Sequence, residues 1–331
     1  MEVTIHTDDD ALGELAADWS SLWDRDPVAT IFHTPEYARI AWETELGADR
    51  SLALVELREG DALVGLAPFT IDPDATLRFL GNAEITDYLG PLSAPSDRQR
   101  VAGEAVRALG SIDGWQRAEW QGLAADTGWP EALQVGLEAA GHAPERRCQD
   151  VCPRIALAGT YDTYLGGLPS KLRHEIRRKA RRLERDAGAY AIRRTDRGGL
   201  DADLEAFFAM HRAQEGPKGK FMHDDMAEVF RRLAAVFDER GWLRLVWLEI
   251  GGDRLAATLS FVERGVWSVY NSTFDHSRRD LGPGMVLMAE TIRLATEEGC
   301  SVVDLLRGDE PYKYRFGATD TEVLELRFAR R

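Results

Sequence analysis

Apolar positions along the chain recur with periods that alternate between helix and strand. Leu12, Leu15, Ala16, Trp19 and Leu22 fall on one face of a helix over residues 12–22. A second helix is predicted to start at Thr34-Pro35, with the threonine placed to cap and the proline at the first helical position. Residues 52–57, the turn Glu59-Gly60-Asp61 and residues 62–69 read as strand, turn and strand. Shorter strands are predicted at 77–80, 88–92 and 117–120. Helices are predicted at 100–109 and 130–140, the latter stopped by Gly141.

The second half repeats this grammar. Residues 243–250, Gly251-Gly252-Asp253 and residues 254–262 align with the 52–69 hairpin once one residue is inserted at the turn. A third strand follows at 266–272. Then comes a periodic helix over 285–298 (Met285, Met288, Ala289, Ile292, Ala295) stopped by Gly299, a buried strand at 301–306 and an alternating strand at 322–328. A repeat of this length predicts duplication of a whole domain rather than a solenoid array. The break falls near Pro153 and Gly159, giving domains 1–155 and 156–331. The expected fold class is α/β (α+β), two domains each with a mixed, mostly antiparallel sheet flanked by helices.

Composition narrows this picture. A chain of 331 residues suits two domains of about 150 residues each. With 44 % hydrophobic and 29 % charged residues it reads as soluble and globular. No apolar run approaches the ~20 residues a bilayer span needs. Met1-Glu2-Val3-Thr4 leads to Asp8-Asp9-Asp10 without a basic, then apolar, leader, so a cytoplasmic location is expected. Cys148, Cys152 and Cys300 lack zinc spacing and are expected to be reduced thiols, with no metal.

The net charge of −15 disfavours phosphate polymers unless a basic patch is present. The arginine-rich segment 168–188 supplies one. Leu172, Ile176, Ala180 and Leu183 form an apolar stripe, while Arg173, Arg177 and Arg181 lie on one flank and Arg178, Arg182 and Arg185 on another. That surface is either a solvated face or a phosphate-binding one, for an anionic acceptor or a tRNA.

The chemistry concentrates after residue 265. Arg278-Arg279-Asp280-Leu281-Gly282-Pro283-Gly284 joins a strand to a helix beginning near Met285. Such a turn points backbone N–H groups, and the positive end of the helix dipole, at an anion. Gly282 and Gly284 let the backbone approach a pyrophosphate, and Arg279 adds a charged partner. Asp304 ends a buried strand and is either a base or acceptor-binding group, or a structural partner of Arg307 or Lys313. Tyr270 and Asp275 flank the strand end and could meet the acceptor. His211 reads as structural, and Gly216-Pro217-Lys218-Gly219-Lys220 as a lid loop without the ending of a P-loop.

Arg279-x-x-Gly282-x-Gly284 resembles the Gln/Arg-x-x-Gly-x-Gly/Ala pyrophosphate loop of GNAT acyltransferases. The run from Val303 to Gly317, with Asp304, Gly308, Glu310 and Tyr312-Lys313, is similar to the closing motif of the CelD-type acetyltransferases associated with cellulose biosynthesis and of the related Fem aminoacyltransferases. The arginine-rich helix, Pro68 and the Asp87-Tyr88 pair fit the same group. The resemblance implies tandem GNAT domains, with acetyl-CoA or another acyl-CoA bound by Arg279, Gly282, Gly284 and Met285 of the C-terminal copy and no such loop in the N-terminal one. It implies Asp304, Tyr312 and Lys313 as catalytic residues, Tyr312 or Tyr314 protonating the departing thiolate and Lys313 neutralising phosphate or oxyanion charge. Tyr270, Asp275, Asp87, Tyr88 and Glu310 would then contact substrate. The implied reaction is acyl transfer to an amine or hydroxyl of a small molecule or sugar. Fem-like transfer from aminoacyl-tRNA and a non-catalytic binding protein are the alternatives, and no oligomeric state is implied.

Overall fold

The computed structural model describes residues 1–44, 49–81 and 85–331, apart from the side chains of residues 217 and 218. The chain divides into two compact units, Met1–Val151 with Thr321–Arg331, and Cys152–Asp320.

The first unit contains β1 (Glu2–His6), α1 (Ala11–Glu14), α2 (Ala16–Arg25), α3 (Pro35–Glu43), β2 (Ser51–Glu59), β3 (Ala62–Ile71), β4 (Thr76–Phe79), β5 (Leu92–Ser93), α4 (Arg98–Ala108), β6 (Arg117–Ala124) and α5 (Trp129–Ala139). β7 (Glu145–Ala156) leads into the second unit. That unit holds α6 (Tyr161–Gly167), α7 (Ser170–Ala187), β8 (Tyr190–Arg194), α8 (Leu200–Arg212), α9 (Pro217–Phe221), α10 (Asp224–Glu239), β9 (Leu243–Ile250), β10 (Asp253–Glu263), β11 (Val266–Phe274), α11 (Pro283–Glu297) and β12 (Val302–Asp304). β13 (Thr319–Ala329) closes the chain.

Each unit has the same wiring. In the first, β1, β2, β3 and β4 pair antiparallel in sequence order, then β6 joins β4 in parallel after the intervening helix α4. In the second, β8, β9, β10 and β11 pair antiparallel in order, and β12 joins β11 in parallel after α11. The hairpins matched in the sequence, β2–β3 and β9–β10, occupy equivalent places, and the duplicated α/β fold stands.

Several elements differ from expectation. The helix over 12–22 is interrupted at Leu15, which caps α1 and precedes α2. Residues 88–91 are not a strand, because Leu89 N–H donates to the Gly122 carbonyl (2.8 Å) from a loop, and only Leu92–Ser93 pairs with β3. Residues 321–331, assigned above to the C-terminal half, pack in the first unit. β13 pairs antiparallel with β6 from Val323 opposite Ala124 to Ala329 opposite Arg117. Its apolar face (Leu324, Leu326, Phe328) enters the first core, where Phe328 meets Trp120 edge-on with ring centroids 4.9 Å apart.

The second core lies between its sheet and α7 with α11. Ile176 and Leu183 from the arginine-rich helix are buried there with Trp267, Val286, Ile292 and Val303, as the apolar stripe required. At the end of β10, Glu263 is 7 % exposed, and its Oε2 receives no hydrogen bond among the described residues, with Arg264 Nε 3.8 Å away. Burial pushes its carboxyl up to about 7. A raised carboxyl favours folding only below its unfolded range, and that benefit is lost as pH climbs through the folded value. Glu263→Gln should therefore raise the melting temperature at pH 8, by an amount corresponding to roughly 3 kcal/mol, and change it much less near pH 5. Equal effects at both pH values would contradict a neutralised Glu263.

Candidate functional site

In the second unit β11 and β12 pair over only three positions, Val266 with Val302, Trp267 with Val303 and Ser268 with Asp304. β11 then continues to Phe274, while the chain after β12 turns away through Leu306, whose φ of 55° is left-handed. The strands part and open a wedge. On its other edge β11 carries a bulge: Val269 faces Ser260 and Asn271 faces Leu259, leaving Tyr270 as the extra residue. A bulge of this kind takes a backbone N–H out of the ladder. None of these interruptions is visible in the period-two pattern of the strand.

Beyond β11, the turn His276–Leu281 delivers Gly282 with φ 68° as the residue capping α11, and Pro283 occupies the first turn, where its missing N–H is harmless. A cavity of about 470 Å³ lies at this helix head, lined by Arg279, Gly282, Gly284 and Met285 together with Tyr312. The four residues expected to grip pyrophosphate and the tyrosine expected to donate a proton thus share one cavity. A Cβ built on Gly284 would sit 3.6 Å from Phe274 Cδ1, an ordinary contact, so the fold itself does not require glycine there. Lys179 of α7 and Arg315 also line the cavity, and no Asp or Glu does. Sequence reasoning missed both cations as site residues. Lys179 stood inside an arginine-rich helix read as a surface, and Arg315 at a variable position of the closing motif. Gln214 and Thr273 are further lining residues, joined by a Gln214 Nε2 to Thr273 Oγ1 hydrogen bond of 2.6 Å.

The closing motif separates into two cavity residues, Tyr312 and Arg315, and a scaffold. Tyr312 is half-buried, and burial, reinforced by the Glu310 charge, pushes its phenol up to about 12. Tyr314 instead donates to Asp320 Oδ1 (2.8 Å) and does not line the cavity. Asp304 is 3 % exposed; Oδ2 accepts from Arg154 Nε (2.8 Å) and Oδ1 from the Leu306 N–H (2.8 Å), which fixes the left-handed turn. Arg154 is an ion-pair partner of Asp304, and Lys313 pairs with Glu310 instead. Lys313 is also 3 % exposed, and its Nζ donates to the carbonyls of Leu306 (2.9 Å), Arg307 (2.8 Å) and Gly308 (2.9 Å), with Glu310 Oε2 at 3.0 Å. A buried ammonium with four oxygens around it fixes the 306–310 loop, and Glu310 is its counter-ion. Neither Asp304, Lys313 nor Glu310 lines the cavity.

Within the second unit, Tyr270 and Asp275 are not among the residues that line the cavity. The Tyr270 ring packs against Phe230 (5.2 Å) and Phe261 (5.3 Å). Asp275 accepts from the Ser277 N–H (2.9 Å) and hydroxyl (2.7 Å), capping the 276–281 turn. His211 is buried with Nε2 3.1 Å from Asn271 Oδ1, next to the bulge.

Asp87 and Tyr88 are buried in the first unit, where β4 and β6 pair only at Thr76–Arg117 and Leu77–Ala118 before parting. That wedge is closed differently. The Leu89 backbone crosses to Gly122, whose built Cβ would lie 2.8 Å from Leu89 N. Beside it Arg50, Asp72, Arg78 and Glu119 form a chain of ion pairs: Arg50–Asp72 at 3.0 Å, Arg78–Asp72 at 2.7 Å and Arg78–Glu119 at 2.7 Å. Its helix α4 is preceded by Asp97, with no glycine loop.

Residues 170–314 match the family described as an acetyltransferase (GNAT) domain. The chain therefore carries a GNAT acetyltransferase domain and is an enzyme of the acyl-transferring class. Over its whole length it is similar in fold to FemX, with a TM-score of 0.67 and 11 % identity over 98 % of this chain and 97 % of that one. It is similar to the C-terminal domain of a putative lysylphosphatidylglycerol synthetase from Agrobacterium fabrum, with a TM-score of 0.59 and 11 % identity over 96 % and 92 % of the two chains. A tandem GNAT protein from the clavulanic acid biosynthesis pathway superposes with a TM-score of 0.52 and 12 % identity, covering 100 % and 99 %. At these identities the likeness concerns the fold: two GNAT units in one chain. No curated protein matches the sequence.

Proposed function

We propose that the protein transfers an acyl group, acetyl being the expected one, from acyl-CoA to an amine or hydroxyl of a small-molecule or sugar acceptor, in the manner of the CelD-type acetyltransferases. The observation that carries this reading is one cavity that gathers a glycine-capped helix N-terminus, three cations and a proton-bearing phenol without a single carboxylate. In a chain of net charge −15 such a site suits a polyanionic ligand. The N–H groups at the head of α11 and Arg279 hold the pyrophosphate. Tyr312 gives its proton to the thiolate as the carbon–sulfur bond breaks. Asp304 and Lys313 act through the loop they fix, so both are positioning residues, and the first unit serves without a cofactor of its own.

The acceptor's proton leaves to solvent or to a base that the acceptor itself brings near. Among the described residues no helix is long and apolar enough to cross a membrane, and a cytoplasmic location is part of the proposal.

Aminoacyl-tRNA is the second donor worth testing, because α7 carries eight Lys and Arg against three Asp and Glu. Mass spectrometry of ligands released from the purified protein separates the two. CoA or an acyl-CoA is expected, with tRNA bound weakly at most and lost at physiological salt. Sub-micromolar, salt-resistant binding of charged tRNA would favour the Fem-like reaction instead.

A further inference from the structure

The cavity at the head of α11 is lined by two cations besides Arg279. The N–H groups around Gly284 and the Arg279 guanidinium already answer a pyrophosphate bridge, yet Lys179 and Arg315 line the same space. Arg315 is shared with Glu175, 3.3 Å away. Lys179 is not shared. Its side chain is half-buried and makes no hydrogen bond or ion pair among the described residues. Its Nζ lies 3.4 Å from the point where a Cβ on Gly282 would stand, so the ammonium hangs over the loop.

The other cations of α7 show that this is particular to Lys179. Arg173 donates to the Leu165, Gly166 and Leu168 carbonyls, and Arg182 and Arg185 pair with Asp186. Arg177 and Arg178 are exposed. Lys179 is the residue that α7 turns toward the cavity, flanking the buried Ile176 and Leu183 that seat the helix. Partial desolvation of an unpaired ammonium is unfavourable, and an anionic ligand group relieves it.

A CoA thioester carries, besides its pyrophosphate, a phosphate monoester on the 3′ position of its ribose. We infer that Lys179 binds this monoester and so selects CoA thioesters over dephospho-CoA thioesters. The inference rests on the acyl-CoA reading above and goes beyond it by assigning donor selection to a helix outside the strand–loop–helix motif.

Calorimetric titration of the full chain with CoA and with dephospho-CoA, at one fixed salt concentration, tests it. The wild type should bind CoA at least about tenfold more tightly than dephospho-CoA, as loss of a charge-assisted contact implies. Lys179→Ala should shrink that ratio to below about threefold by weakening CoA alone, and Lys179→Arg should keep it. The apo melting curve of each variant reports folding, and Lys179→Met, which keeps an apolar stem of similar length without the charge, replaces the alanine variant if that one does not fold. Equal wild-type affinities, or an equal loss for both ligands in Lys179→Ala, would overturn the assignment while leaving the acyl-CoA reading intact. A wild type that binds neither ligand would overturn both.

Discussion

Tyr312→Phe is expected to lower turnover by about 10²-fold or more, the usual scale for loss of a general acid, with little change in CoA affinity. The ring stays, so its packing against the second core stays. What is removed is the only phenol that lines the cavity among the described residues, since Tyr314 is bonded to Asp320. Because burial and the Glu310 charge push Tyr312 up to about 12, it keeps its proton throughout the working range. Any fall in rate below about pH 10 then belongs to another group, and the tyrosine and phenylalanine enzymes should share the same pH profile there. Steady-state kinetics with acetyl-CoA and an accepted amine provide the measurement. Unchanged turnover in the variant would transfer the proton donation to water.

Gly284→Asp is expected to abolish CoA binding without unfolding the protein. Position 284 tolerates a Cβ, which would meet Phe274 at 3.6 Å, and an aspartate in the first turn of a helix is favourable to the helix itself. The same carboxylate, however, faces the space where phosphates must enter. Arg279→Ala should only weaken binding, because the backbone donors remain. A Gly284→Asp protein that binds CoA as the wild type does would place the donor elsewhere.

Much of the fold was legible in the sequence because hairpins with glycine turns and glycine-stopped helices announce themselves locally. β1, β7 and β8 were not, being short or crowded with charges, as in Tyr190-Ala-Ile-Arg-Arg194; their strand state comes from pairing with β2, β12 and β9. The destination of β13 was hidden for the same reason. Its alternation shows that Leu324, Leu326 and Phe328 need a core, but not which one.

The candidate site divides similarly. Arg279, Gly282, Gly284 and Met285 were visible because a glycine-bearing strand-to-helix turn is continuous in sequence. Tyr312 was visible beside Tyr314, and only the structure distinguishes them. Asp304 was legible as a charge ending a buried strand and Lys313 through the closing motif; that Arg154 and the 306–308 carbonyls hold them was not, because those contacts depend on the fold. Lys179 is about a hundred residues from the loop it overhangs, and no local pattern connects them.

If the head of α11 binds CoA, as proposed, a melting curve recorded with and without saturating CoA registers it. A ligand bound only by the folded state at a hundredfold excess over its dissociation constant adds about 2.7 kcal/mol, which for units of this size is a rise of several degrees. The wild type should show that rise, Arg279→Ala a smaller one and Gly284→Asp none. A wild-type curve unmoved by either CoA or acetyl-CoA would contradict it.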